Sequence, residues 1–334
     1  MKARFTYLCF LLLDLFSSCI GELKVENDSM GNFNELWRII DEKYCFFDYK
    51  EIDWDEVYNI YKPQITHNMD KYDLFYKLGD MLKELKDGHV NLYSSEGLLS
   101  YYSWHEDSPE NFNWFIIQQH YLKHNYHSTG AVKYQIMDNY IGYMYVENFI
   151  EDIGSANLDY IINYFHPCKG IIIDVRSNGG GSITNASRLA SRFAKEKTHT
   201  GYICHKTGKG HNDFSTPQPI YLTPSGKASW ERKVVVLTNR QTYSAANEFV
   251  NSMSYLDNVT IVGDITGGGS GLPFHSELPN GWAVRFSTSP LFNVTMEHTE
   301  FGIHPDIKVD MNKDDNTNKM DTILETAIQL LSNL

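Results

Sequence analysis

KVVVLTNRQTYSAANEFVNSMSYLDNVTIVGDITGGGSG, residues 233–271, changes its hydrophobic period twice, and those changes set the fold class. Residues 233–238 form a short apolar run rich in valine, the length of a buried strand. After a polar turn of Arg240, Gln241 and Thr242, apolar residues recur at Ala246, Phe249, Val250 and Met253, which is helical spacing over 244–256. Residues 259–264 return to the strand pattern. A strand, a helix and a second strand in this order imply a crossover between parallel strands.

The alternation extends in both directions. Upstream, the pattern predicts a hairpin over 131–149 turning at Asp138 and Asn139, a helix over 154–165, a strand over 170–176 and a helix over 182–195. Downstream it predicts strands near 282–287 and 291–296 and a closing helix over 318–333. The expected class is an α/β core with largely parallel pairing. Residues 33–87 differ and read as a small N-terminal helical domain of three helices. Asn34 or Asn32 caps the first, Asp53 one that starts at Trp54, and Asp70 one that runs to about Lys86. Leu74, Leu78, Met81, Leu82 and Leu85 give that last helix an apolar stripe facing a core.

Two loops carry candidate chemistry. Ser244 opens the helix at 244–256, where unsatisfied backbone N–H groups stabilise negative charge, the environment that attack on a carbonyl requires. The alternative is that Ser244 is simply the N-cap of that helix. KGIIIDVRSNGGGS, residues 169–182, joins a buried strand to a helix through Gly179, Gly180 and Gly181, a bare backbone that can present N–H donors to a ligand. Neither GxxxxGK[ST] nor GxGxxG spacing is present, which argues against nucleotide binding.

Together these segments resemble the S41 peptidases, the tail-specific or C-terminal processing family. The resemblance runs through NELWRIIDEKYCFFDYKEIDWDEVY (34–58), LGDMLKELKDGHVNL (78–92), NYIGYMYVENF (139–149), GIIIDVRSNGGG (170–181), VVVLTNRQTYSAANEF (234–249), IVGDITGGG (261–269) and EFGIHPDIKV (300–309). It implies a ββα-spiral catalytic domain of the ClpP and crotonase-like kind over 88–334, peptide or protein substrates, and Ser244 as nucleophile. It also implies an oxyanion hole from the backbone N–H groups of Gly180 and Ala245. In one branch of the family the base is a lysine 25 residues beyond the serine, but here that position is Gly269, and no lysine lies between Lys233 and Lys308. The other branch, similar to the tricorn core protease, uses a histidine, for which His89 in LKDGHV matches, and a glutamate before GxxPD, for which Glu300 matches. That branch has a second serine just before the histidine, where this chain has Gly88. The orienter of His89 is then Glu300, acting directly, or Glu297, or else a weak one. A histidine base would give an acidic limb in the rate at an apparent pKa of about 6–7.5. Many members insert a PDZ domain after the histidine. The span from Asn91 to Tyr140 is too short for one, and its aromatics (among them Tyr101, Trp104, Phe112 and Trp114) line a groove or fill a core. Retinoid-binding modules also resemble this family, so a non-catalytic protein binding peptides or apolar ligands is the competing reading.

The first residues, MKARFTYLCFLLLDLFSSC, have a positive start at Lys2 and Arg4 and a mostly apolar run from Phe5 to Phe16, which reads as a signal peptide over 1–18. The run is shorter than the roughly 20 residues of a membrane-spanning helix. Leu15 to Cys19 resembles a bacterial lipobox, which makes Cys19 a lipidated N-terminus followed by a tether over 19–32. The alternative is an ordinary signal peptide. The expected location is outside the cytoplasm, anchored to the lipid membrane of the bacterial cell envelope, in the periplasm or at the surface. Cys45, Cys168 and Cys204 make neither a disulfide framework nor a zinc pattern and read as buried apolar residues. No metal or cofactor is expected. The net charge of −13 comes with no basic stripe, which excludes nucleic-acid binding, and 14% aromatic content indicates a filled core.

Overall fold

The valine-rich segment becomes the fully buried strand Val234–Thr238 of a seven-stranded sheet in the computed structural model, which describes residues 26–225 and 227–333. Its neighbours, Gly170–Asp174 and Val259–Gly263, both run parallel to it. Ile141–Val146 continues the parallel set beyond Gly170–Asp174, and Ile307–Lys308 closes the other edge. Val132–Met137 and His127–Thr129 then add antiparallel strands, the first of them forming the expected hairpin with Ile141–Val146.

Parallel pairing here follows from burial on both faces. Alternate residues of the strands point to opposite sides. Ile171, Ile173, Val234 and Val236 pack with Phe249 and Val250 of the helix Ala245–Met253. Ile172, Val235 and Leu237 pack with Ile323, Leu324 and Ala327 of the closing helix Thr322–Ser332. At the strand end, fully buried Arg176 bonds Asp174 and donates to Asp321 at 3.0 Å and to the Asn111 carbonyl at 3.1 Å. Asp321 is also the cap of the closing helix, so one guanidinium joins sheet, helix and loop.

The N-terminal region departs from expectation at its start. Asp28, not Asn32 or Asn34, caps the first helix, Ser29–Lys43, by accepting the Gly31 N–H at 2.7 Å. Asn32 is buried inside that helix, so the tether expected over 19–32 has already become structure by Ser29. Helices Trp54–Tyr61 and Lys71–Lys83 begin at Asp53 and Asp70 as their patterns predict. The first and third pack against an antiparallel sheet ordered Leu272–Glu277, Ala283–Ser289, Asn91–Ser94, Gly97–Ser100, and the second packs on the third. Leu36, Phe75 and Leu78 share one hydrophobic cluster with Leu92, Val284 and Phe286, so a boundary drawn between 87 and 88 would cut through a core. A third sheet joins Thr198–Ile203, Gln218–Leu222 and Leu291–Phe292; the strand expected over 291–296 is only that short. The signal peptide and Cys19 lie outside the described residues.

Candidate active site

The helix Ala245–Met253 starts directly after Ser244, which sits at φ 57° and ψ −122°. A residue with a Cβ is rarely held there, and such strain persists only where surroundings impose it. Here they do: the Ser244 N–H donates to the Gly268 carbonyl at 2.8 Å, and the Tyr243 N–H to the Asn178 carbonyl at 3.0 Å. The hydroxyl makes no capping bond. Ser244 Oγ lies instead 2.9 Å from His89 Nε2, on the opposite layer of the molecule.

His89 is buried, and its backbone N–H donates to Asp87 Oδ1 at 2.7 Å. Burial pulls the imidazole down to about 4, with Arg285 and Lys50 adding to the effect and Asp87 opposing it. A rate limb set by His89 would therefore fall below the expected 6–7.5, because the side chain is far drier than a turn histidine. Nδ1 has no hydrogen-bond partner among the described residues.

Neither expected orienter reaches that nitrogen. Glu300 is buried, but its Oε1 accepts from Lys50 Nζ at 2.8 Å and its Oε2 from the Ser270 N–H at 2.8 Å. Burial and the neighbouring Asp87 push its carboxyl up to about 7, against the pull of Lys50. Glu297 belongs to an exposed loop and bonds Asn293 and Thr295. The groups beside His89 are ones the sequence reading missed. Burial opposes ionisation of Asp87, but Lys50 and His89 outweigh it and hold the carboxyl below its ordinary range. Tyr44 and Ser287 hydroxyls also donate to Asp87, at 3.0 and 3.1 Å. Lys50 Nζ stands 3.7 Å from Asp87 and, although burial disfavours its charge, the two carboxylates keep its pKa raised. The Asp two residues before His in LKDGHV was the available signal for Asp87; nothing local marks Lys50.

Two departures from the resembled family have one physical cause. The Tyr243 and Trp104 rings stack at 4.3 Å and 23°. A Cβ at Gly88 would come within 2.7 Å of Trp104 Nε1 and 2.8 Å of the Tyr243 hydroxyl. At Gly269, held at φ 72°, it would fall 2.2 Å from the Tyr243 ring. The aromatic pair thus occupies the space that a second serine or a lysine would need. Of the other aromatics of that segment, Phe112 and Trp114 stack on Tyr145, while Tyr101 and Trp104 line a cavity beside Gly88 and Arg240.

Of the two expected oxyanion donors, one is already engaged. The Gly180 N–H is already donated to Asn178 Oδ1 at 2.9 Å, an engagement a free oxyanion donor would not have. For the amides of Gly181 and Ala245 no acceptor is recorded among the described residues. Gly180 remains pressed against the nucleophile side, since a Cβ there would meet Ser244 Cβ at 2.8 Å.

Residues 140–309 match the sequence profile of peptidase family S41, and residues 26–83 that of the tricorn protease C1 domain. The crystal structure of a candidate peptidase from Parabacteroides merdae is 51% identical, covering 92% of this chain and 97% of that one with a TM-score of 0.87. Mature CPAF in complex with lactacystin superposes with a TM-score of 0.71 over 92% and 99% of the two chains, at 13% identity, a likeness of fold. The carboxy-terminal processing protease CtpA of Bacillus subtilis is 26% identical over 184 residues, 53% of this chain and 36% of that protein. A tricorn-like protease C-terminal subunit of Sulfurisphaera tokodaii is 25% identical over 196 residues, 57% of this chain and 21% of that protein. The chain therefore spans about a fifth to a third of the length of these curated relatives.

Proposed function

Because the chain belongs to peptidase family S41, matched over residues 140–309, we propose that it is an exported serine endopeptidase with Ser244 as nucleophile and His89 as general base. The observation that carries this reading is the 2.9 Å approach of Ser244 Oγ to His89 Nε2, made by a serine at a helix start whose hydroxyl caps nothing. In the reaction, Oγ attacks the scissile carbonyl while Nε2 takes its proton, and the resulting oxyanion is met by the N–H groups of Ala245 and of the glycine loop. His89 then returns the proton to the leaving amine, and water hydrolyses the acyl-enzyme by the same route in reverse. The low pKa of His89 keeps it neutral, hence able to accept a proton, throughout the neutral range. Asp87, which bonds the histidine through its backbone rather than its ring, supplies negative charge beside the imidazolium that forms.

A fluorophosphonate probe tests the assignment. Labelling of Ser244, lost in His89→Ala, is the expected result; an unlabelled, well-folded protein would favour the binding-module reading instead. Export and anchoring rest on Lys2, Arg4, the apolar run and Cys19 alone. Cys19→Ala should move the protein from the membrane to the soluble fraction, and unchanged partitioning would refute the acylated anchor.

A further inference from the structure

One helical turn beyond Ser244 the same helix carries a carboxylate with no cation beside it. Glu248 donates its N–H to the Ser244 carbonyl at 3.1 Å, and residues four apart share a helix face. Its side chain lines a cavity between this helix and Ile183–Ala190, the helix that follows the glycine loop. The other walls are mostly apolar, among them Ile183, Ala186, Leu222, Phe249 and Leu291, with the hydroxyl residues Ser187, Thr200, Tyr221 and Ser252 between them. Ile183 opens the helix that follows the glycine loop and Glu248 lies one turn beyond Ser244, so two walls of the cavity belong to helices that begin at the candidate site. Glu248 accepts from the Thr299 hydroxyl at 3.3 Å, lies beside the Asn247 amide, and forms no ion pair among the described residues. Burial pushes its carboxyl up to about 7, which is the cost of leaving a carboxylate there without a partner.

We propose that this cavity receives the side chain of the residue whose carbonyl Ser244 attacks, and that Glu248 selects a long basic side chain, lysine or arginine, at that position. The proposal rests on Ser244 being the nucleophile. An apolar wall suits the methylene stem of lysine or arginine, and the carboxylate beyond it suits the charged end. A neutral side chain of the same length fills the walls but leaves Glu248 unpaired, and an acidic one adds a second negative charge in a dry site.

The test uses the full chain carrying Ser244→Ala and fluorescent peptides that differ at one residue: lysine, norleucine or glutamate. Lysine should bind at least 10-fold tighter than norleucine, and glutamate weakest. With Glu248→Gln added, the lysine-to-norleucine ratio should fall to near one, and Glu248→Met should do the same. Equal binding of lysine and norleucine with Glu248 present, or a preference that survives both substitutions, overturns the proposal. Cleavage by the parent enzyme, mapped by mass spectrometry, should fall after lysine or arginine. If the parent hydrolyses nothing while the Glu248-dependent preference persists, the peptidase reading fails and the pocket stands. Hydrolysis indifferent to that residue sinks the pocket and leaves the peptidase.

Discussion

The two halves of the site are held by different physics. Ser244 is fixed by backbone: a strained φ of 57°, an N–H bonded to Gly268, and a helix that starts at the next residue. His89 is fixed by charge and burial: Asp87 bonds its N–H, Lys50 lies against Asp87 and Glu300, and its own Nδ1 has no bond among the described residues. A backbone-held group tolerates changes of side chain nearby. A charge-held group depends on every member of its cluster, because buried charges are costly once a partner is removed.

Substitutions can break this contrast or sharpen it. The largest effect belongs to Ser244→Ala, which should abolish peptide hydrolysis while leaving the melting temperature near that of the parent, since the hydroxyl caps nothing. Residual turnover at the parent rate would remove Ser244 from the mechanism. His89→Ala should lose about 10²–10⁴-fold in kcat/KM, the usual range for a general base, and its acidic limb should go with it. Lys50→Met should destabilise the fold by about 3–5 kcal/mol, because it leaves Asp87 and Glu300 buried without their cation. Urea unfolding would measure this, and a variant as stable as the parent would show that the charge cluster does not hold the histidine side. Glu300→Gln should cost less, about 1–3 kcal/mol, as it loses one charged hydrogen bond while Lys50 keeps Asp87; Glu297→Gln in its exposed loop should change neither rate nor stability.

The smallest effect is a displacement in pH. A base must be neutral, so kcat/KM rises with pH through the folded pKa of His89 and is flat above it. With that value pulled to about 4, the rise should be complete well before pH 6.5, the ordinary midpoint of histidine. A limb at 6.5 would mean that His89 is wetter than its packing indicates. Stability follows the same sign. The unfolded chain protonates His89 first, so its contribution is present above about 6.5 and declines as pH falls towards 4.

The halves also differed in how much the sequence disclosed. The parallel strands are short apolar runs separated by helical patterns, so Gly170–Asp174, Val234–Thr238 and Val259–Gly263 were placed to within about two residues. The antiparallel strands Gly97–Ser100 and Leu272–Glu277 escaped, because GLLS and LPFHSE are largely exposed and carry no alternation to read. Ser244 and His89 each sit in a local motif, and the structure brings the two together. Lys50 acts from another helix-flanking loop, and no spacing rule connects it with Glu300. The orienter could not be read for the same reason. GxxPD marks where Glu300 is, but only packing decides that it faces Lys50 and Ser270 rather than His89.

The bond between Ser244 and His89 spans 155 residues of chain. Long-range contacts of this kind form late, after the loop-closure entropy has been met elsewhere. A chain whose N-terminal layer had not docked would display Ser244 with no His89 to take its proton and, on the proposed mechanism, would be inert. Local opening of the N-terminal layer, which needs less free energy than global unfolding, would return a finished molecule to that inert state and release it again on closure. On the proposed mechanism, hydrolysis would report that the layer carrying His89 has docked on the sheet that leads to Ser244.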